Sequence, residues 1–390
     1  MNNEVGYVIS VGAGKNQLPL IKRLIERGYR VISFDRDIDA PGKAISHMFK
    51  DISTWDYEQA IQWLETLNVQ FKGVLCFSYG RALVSQQRII DYFSMDGKVI
   101  KNIVNIMIDK SLLRKFLKTY NLTTLLEYES YNNAILSYKY GKFVIKDKTG
   151  GSSRNIYVID TNRDYNFFIK KMGSNSYILQ EYLEGTEYRV VVLIKNQGIK
   201  FISILKRDNW EETFFTGRLE PQNYYNKDIL NLTEQIIEKF KIEDSALKID
   251  IIKDGNRIEI LEIDFGIGGD YFETIIAPIC YGYNFIDNYI SLMLGLPVEK
   301  GRNLHNRFYF DYIYNPNDSE NLVIKYDKIF DIASRHFENY RVIKIKNDKS
   351  IIKYPQNNTD VAFAIIHNNY NLNNSDVNRL FNKYLAVRGA

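Results

Sequence analysis

Along the first hundred residues, short apolar runs alternate with stretches of helical period. Val5-Gly6-Tyr7-Val8-Ile9-Ser10-Val11 reads as a strand, Leu18 to Arg27 as a helix, Arg30-Val31-Ile32-Ser33-Phe34 as a second strand after Gly28, and Gly73-Val74-Leu75-Cys76-Phe77 as another. That order predicts βαβ units and a parallel sheet. A helical stretch from about Asn102 to Tyr120 opens a second region, rich in strands that alternate apolar and polar positions. These are Phe143-Val144-Ile145-Lys146, Ile156-Tyr157-Val158-Ile159, and the pair Leu247 to Ile252 and Ile258 to Asp264, joined by Lys253-Asp254-Gly255-Asn256. An Asp-Gly or Gly-Asn turn between alternating runs predicts a hairpin. After Gly301 the texture changes again, with β-like runs at Arg307 to Ile313 and Asp360 to Ile366, Asn-rich turns, and a final helix near Asp376 to Leu385. The chain thus divides into residues 1–101, 102–300 and 301–390, a multidomain protein of α/β and α+β parts.

Three carboxylates stand out on the hairpin. Glu262 and Asp264 are two apart and leave the same sheet face, and Asp250 lies on the neighbouring strand. Together they offer the hard oxygen ligands that magnesium prefers, and equally they fit the polar face of an ordinary hairpin. The glycines of Phe265-Gly266-Ile267-Gly268-Gly269-Asp270 allow the backbone to approach a ligand. Upstream, Thr149-Gly150-Gly151-Ser152-Ser153-Arg154 is a small polar loop between two strands, able to lay amides over phosphates or to serve as a plain connection. Tyr177 to Val192 runs strand, acidic glycine turn, strand. There Gln180 or Glu181 can read an adenine edge and Glu187 can accept from ribose hydroxyls, and taken singly each acid equally fits a solvated surface.

Composition narrows the function classes. Fifty-one basic and 47 acidic side chains leave a net charge of +4, which gives no global argument for nucleic-acid binding. The apolar stretches are too short or interrupted to span a bilayer, and no leader segment is visible. Two cysteines, Cys76 and Cys280, sit in apolar contexts and suit a reducing cytoplasm. The histidines at 47, 305, 336 and 367 form no zinc-like pair. Gly12-Ala13-Gly14 followed by Asp35 invites a dinucleotide reading, but Leu18 stands where the third fingerprint glycine belongs. Arg36 lies at the same sheet edge, and Arg81, in the loop Ser78-Tyr79-Gly80-Arg81, can clamp a carboxylate or phosphate or sit as a surface cation.

The order lysine strand, glycine loop, Gln-Glu-Tyr-Leu-x-Gly-x-Glu, then Asp…Glu-x-Asp resembles the ATP-grasp superfamily over roughly residues 1 to 300. The resemblance implies a Rossmann-like pre-ATP-grasp domain, an ATP-grasp fold and a smaller trailing α+β domain that closes the pocket or supports a homodimer. It implies that Lys110, after Asp109 at a helix start, is a first phosphate contact, and that Lys146 is the second nucleotide lysine. Gly150, Gly151, Ser152 and Ser153 would cover the phosphates. Gln180 falls where the family often has Glu, so Glu181, Tyr182 and Leu183 would supply the adenine contact through backbone groups, and Glu187 would bind the ribose. Asp250 and Glu262 match metal ligands, with Asp264 where Asn is usual. Many members carry an arginine two positions after that Asn, and here Gly266 stands there. Lys248, two before Asp250 where some members place a basic residue, would take the catalytic role of stabilising the transferred phosphoryl group.

The resemblance further implies ATP with magnesium, or manganese in its place, and small-molecule carboxylate and amine substrates. The expected reaction forms an acyl phosphate and ADP, after which an amine displaces phosphate to give an amide. A carboxylase acting through carboxyphosphate, a silent nucleotide-binding protein and a nicotinamide oxidoreductase at Gly12 to Gly14 stand as alternatives.

Overall fold

In the computed structural model, the described residues are 6–78, 80–95, 103–137, 141–151, 153, 155–172, 177–211, 213–222, 226–267, 269, 271–301, 303, 306–382 and 386–387. Four strands, β1 (Tyr7–Val11), β2 (Arg30–Phe34), β3 (Met48–Lys50) and β4 (Phe71–Leu75), make a parallel sheet in the order β3-β2-β1-β4. Val8, Ile9, Val31, Ile32 and Val74 are fully buried, as expected of strands covered on both faces. The helices α1 (Leu18–Glu26), α2 (Tyr57–Glu65) and α3 (Arg81–Tyr92) follow β1, β3 and β4, so that β1-α1-β2 and β3-α2-β4 are the expected βαβ units, while β2 leads to β3 without a helix.

The helical stretch expected from Asn102 to Tyr120 is two helices, α4 (Ile103–Ile108) and α5 (Lys110–Thr119). Asp109 breaks it. Its backbone is extended, and its carboxylate accepts from the amides of Ser111 at 2.8 Å and Leu112 at 3.2 Å. That cap makes Lys110 the first residue of α5.

A small antiparallel sheet follows, β5 (Glu127–Tyr128), β6 (Phe143–Asp147), β7 (Ile156–Ile159) and β8 (Tyr177–Glu181), in the order β5-β8-β6-β7. With α6 (Tyr131–Ser137) and α7 (Asn162–Met172) it forms its own core around Tyr131, Phe143, Ile145 and Leu179. A large antiparallel sheet is built from β9 (Thr186–Lys195), β10 (Gly198–Asn209), β11 (Thr216–Gln222), β12 (Ser245–Asp254) and β13 (Arg257–Phe265), with α8 (Lys227–Lys239) between β11 and β12.

After a π-helical turn at Phe272–Ile276 come α9 (Ala277–Tyr281), α10 (Phe285–Met293), β14 (Tyr309–Ile313), β15 (Leu322–Val323), α11 (Tyr326–His336), β16 (Tyr340–Lys344), β17 (Ile351–Ile352), β18 (Phe363–His367), α12 (Asn374–Asn382) and β19 (Ala386–Val387). Strands β14, β18 and β16 extend the large sheet, whose order is β13-β12-β9-β10-β11-β14-β18-β16. The trailing segment is therefore hydrogen-bonded into the same sheet that carries the carboxylate hairpin. Among the described residues, no helix is long and apolar enough to cross a membrane.

Candidate functional site

The hairpin β12–β13 turns through Gly255 and Asn256, with Gly255 at φ 57°, where a side chain would be strained. Its register sets Lys248 opposite Asp264 and Asp250 opposite Glu262, while β9 sets Arg189 opposite Asp250. All five side chains line one cavity of about 1220 Å³. Lys248 Nζ lies 2.7 Å from an Asp264 oxygen and 3.5 Å from Asp250. Arg189 grips Asp250 with two nitrogens, Nε at 2.8 Å and Nη2 at 3.3 Å. Burial pushes the Asp250 carboxyl up, but Arg189 and Lys248 outweigh it and hold Asp250 well below the usual range. For Asp264 burial prevails over Lys248, with Glu262 adding repulsion, and the carboxyl is raised to about 6. Burial opposes the charge of Lys248, yet Asp250 and Asp264 keep it above the ordinary lysine range.

Lys110, placed by the Asp109 cap, donates to the Gly150 carbonyl at 2.7 Å and lies 3.5 Å from Glu262. It therefore ties the glycine loop to the carboxylate hairpin. Lys146, on β6, is 7% exposed, and no carboxylate among the described residues lies within 4.0 Å of its Nζ. Burial, with Arg114 and Lys110 adding to it, lowers Lys146 to about 7. A buried cation left without a close counter-charge is suited to an anionic ligand. Arg114, 2% exposed, donates to Thr123 and to the Ile260 carbonyl at 2.9 Å, pinning α5 onto β13.

Thr149, Gly150, Gly151 and Ser153 line the same cavity. Ser152 and Arg154 of the expected phosphate loop, and Gly268 and Asp270 after the hairpin, lie outside the described residues. Asn358, from the trailing segment, donates to Ser153 Oγ at 2.9 Å and accepts from the Thr216 amide at 2.7 Å.

Gln180, Glu181, Tyr182, Leu183 and Glu187 all reach the cavity wall. The side chains of Gln180 and Glu181 are already engaged. Gln180 donates to Glu127 at 2.9 Å, and Glu181 pairs with Arg257 and accepts from the Leu126 amide. The Glu181 and Tyr182 amides donate to Leu126 and Lys142 carbonyls, while the Leu183 N–H has no partner among the described residues. Any edge reading by this segment falls to its backbone, with Leu183 the open donor. Glu187 receives Arg207 at 2.5 Å and Asn209 at 3.2 Å. A carboxylate has about four acceptor positions, so capacity remains for a hydroxyl.

Sequence reading missed Arg189, Arg207, Asn209 and Lys206, which also line the cavity. Arg189 stands two residues after Glu187 on a strand, so the period-two rule could have found it. Arg207 and Asn209 needed the pairing of β10 with β9. At Gly266, φ is +104° and an added Cβ would lie 2.4 Å from the Ser78 carbonyl oxygen, so no arginine fits there without moving backbone. From the first sheet's side, Lys15, Trp55 and Arg81 line the cavity, with Arg81 5.1 Å from the Trp55 ring centre. Asp35 instead accepts from the Ala13 amide at 3.0 Å and serves the glycine loop of its own sheet.

Residues 107–269 match the family described as the ATP-grasp domain. A D-alanine--D-alanine ligase from Petrotoga mobilis is 28% identical over 130 residues, covering 30% of this chain and 41% of that enzyme. The chain thus spans under half the length of the curated relative it matches. Among solved structures, an L-amino acid ligase from Bacillus licheniformis aligns with a TM-score of 0.76 at 16% identity, covering 99% of this chain and 98% of the other. An N5-carboxyaminoimidazole synthetase from Staphylococcus aureus, complexed with ADP, gives 0.74 at 14% identity over 98% of both chains. At these identities the structural likenesses speak for the fold.

Proposed function

We propose that this chain, whose residues 107–269 match the ATP-grasp domain family, is an ATP-dependent ligase that activates a small carboxylate as an acyl phosphate and joins it to an amine. One observation carries the reading. Lys110, Lys146, the glycine loop, Glu187, Lys248 and the three hairpin carboxylates, scattered over more than 150 positions, line a single cavity. The buried Lys146, with no carboxylate within 4.0 Å among the described residues, and the Leu183 N–H, without a partner among them, suit a nucleotide, and the hairpin's hard carboxylate oxygens suit magnesium.

Lys146 and Lys110 neutralise phosphate oxygens from the small-sheet side, and Glu187, fixed by Arg207 and Asn209, accepts from the sugar hydroxyls. Asp250, Glu262 and Asp264 are not arranged to hold a metal ion by themselves, and would lend carboxylate oxygens to magnesium only alongside the nucleotide phosphates. The nucleotide supplies the phosphoryl group that a substrate carboxylate takes up, and magnesium supplies charge neutralisation there. Lys248, held in place by Asp264 and Asp250, faces the developing charge and keeps its proton throughout. An amine bound in the cavity beside the acyl phosphate then displaces phosphate.

ADP release with small acids and amines, each tested alone and together, checks this. Turnover requiring both is expected, and Glu262→Gln should lower it by about 100-fold with an unchanged melting curve. Turnover with bicarbonate and no organic acid would redirect the reading to a carboxylase, and near-normal activity of Glu262→Gln would remove the metal assignment.

A further inference from the structure

The strand order β3-β2-β1-β4 means that the chain lays β2 and β3 on one flank of β1 and then returns to place β4 on the other. Where the order of a parallel sheet reverses in this way, the crevice outside the carboxyl ends of the strands is the natural ligand site. Here that crevice lies beyond Val11 of β1 and Leu75 of β4. Gln17, 6% exposed, bridges its two sides, donating to the Phe77 carbonyl at 2.8 Å and accepting from the Phe77 amide at 3.0 Å. The clamp ties the loop that carries Lys15 and Asn16 to the loop that carries Gly80 and Arg81. All four residues line the same cavity as the carboxylate hairpin.

Lys15 and Arg81 are exposed, and among the described residues neither has a carboxylate within 4.0 Å or donates a hydrogen bond. Arg81 lies over the Trp55 ring, 5.1 Å from its centre, so the indole, 58% exposed, steadies the guanidinium plane and leaves its N–H donors for a ligand. The chain leaving the hairpin closes on the same loop, because Gly266 packs against the Ser78 carbonyl three residues before Arg81. No side chain fits at position 266 without moving backbone, and Arg81 brings a guanidinium into the cavity from the first sheet.

We infer that Lys15 and Arg81 form an anion subsite at this crevice, and that the acid substrate carries a second carboxylate or a phosphate besides the carboxylate that is activated. Lys110, Lys146 and Lys248 face the phosphates from elements beyond residue 102, whereas Lys15 and Arg81 enter from a separate layer. An acid that spans from the hairpin to the crevice meets cations at both ends and is held best with an anionic group at each. Walls of low dielectric focus the field of such cations on an incoming anion, and the arginine fork takes a carboxylate or phosphate by two bonds. This inference rests on the nucleotide-site reading above.

The test is isothermal titration calorimetry of the full chain saturated with magnesium and a non-hydrolysable ATP analogue, which occupies the phosphate lysines. The probes are inorganic phosphate, glutarate, phosphoglycolate and, as the acid with a single anionic group, butyrate. Phosphate and at least one of the two dianionic acids should bind at least about tenfold more tightly than butyrate. Arg81→Met and Lys15→Met should each weaken that binding at least about fivefold and leave the affinity for the analogue unchanged. Lys22→Met, which removes an exposed charge of α1 that does not line the cavity, should leave both unchanged. A preference for glutarate or for phosphoglycolate identifies the second group, and either upholds the subsite. Dianions bound no more tightly than butyrate, binding unchanged by both cavity substitutions, or an equal loss in Lys22→Met overturns the inference. If the wild type does not bind the analogue, the nucleotide reading falls and this inference with it.

Discussion

At the scale of single residues, Lys146 shows how burial prepares chemistry. Its ammonium sits in a wall that penalises charge, near Arg114 and Lys110, and is lowered from 10.5 to about 7. An unfolded chain keeps that proton up to the ordinary lysine value, so between about pH 7 and 10.5 the unfolded state binds more protons and this residue's contribution to stability rises with pH. The cost of the buried charge is fully present below pH 7. Lys146→Met should therefore gain more stability over the wild type at pH 6.5 than at 8.5, by about 2 kcal/mol in urea unfolding. Phosphates reverse the balance by favouring the charged form. Calorimetry in buffers of differing ionisation enthalpy should show proton uptake by the wild type on nucleotide binding at pH 8, and none by the methionine variant.

At the scale of elements, two connections place these residues. The Asp109 cap divides the helical stretch from Asn102 to Tyr120 and aims Lys110 at the Gly150 carbonyl, the helix start that the resemblance implied there. After β13, Gly266 lets the chain pass against Ser78 at φ +104°. Gly266→Ala is expected to lower stability by about 2–4 kcal/mol, read as a lower melting temperature, because the clash is with backbone that cannot rotate away. The hairpin, the Ile156–Ile159 strand and the Arg30–Phe34 strand were legible from alternation and turn chemistry. The pairing partners of β9 were not, since a strand's own period fixes its faces but not its neighbours.

For the whole molecule, the eight-stranded sheet is the organising feature. It runs from the carboxylate hairpin to β14, β18 and β16, and Arg218 of β11 is locked to Asp311 of β14 by two bonds of 2.7 Å, with His367 on the same carboxylate at 2.7 Å. A chain ended at residue 300 would leave β11 as an open edge and Arg218 buried without its carboxylate. Such a truncation should be recovered largely insoluble and without nucleotide binding. Solubility and analogue binding of the shortened chain check this.

The sequence by itself determined the first sheet's strands, the hairpin and its polar face, because periodicity and turn residues act within about ten positions, while the order of its motifs and the resemblance it carries made Lys110, Lys146, Glu187, Lys248, Asp250, Glu262 and Asp264 candidates. Tertiary structure decided what those groups meet. That Asp250 is gripped by Arg189, that Glu187 is held by Arg207 and Asn209, and that Asn358 reaches Ser153 across 205 positions depend on sheet order and register. Those are set by burial summed over the whole core, which local pattern does not encode.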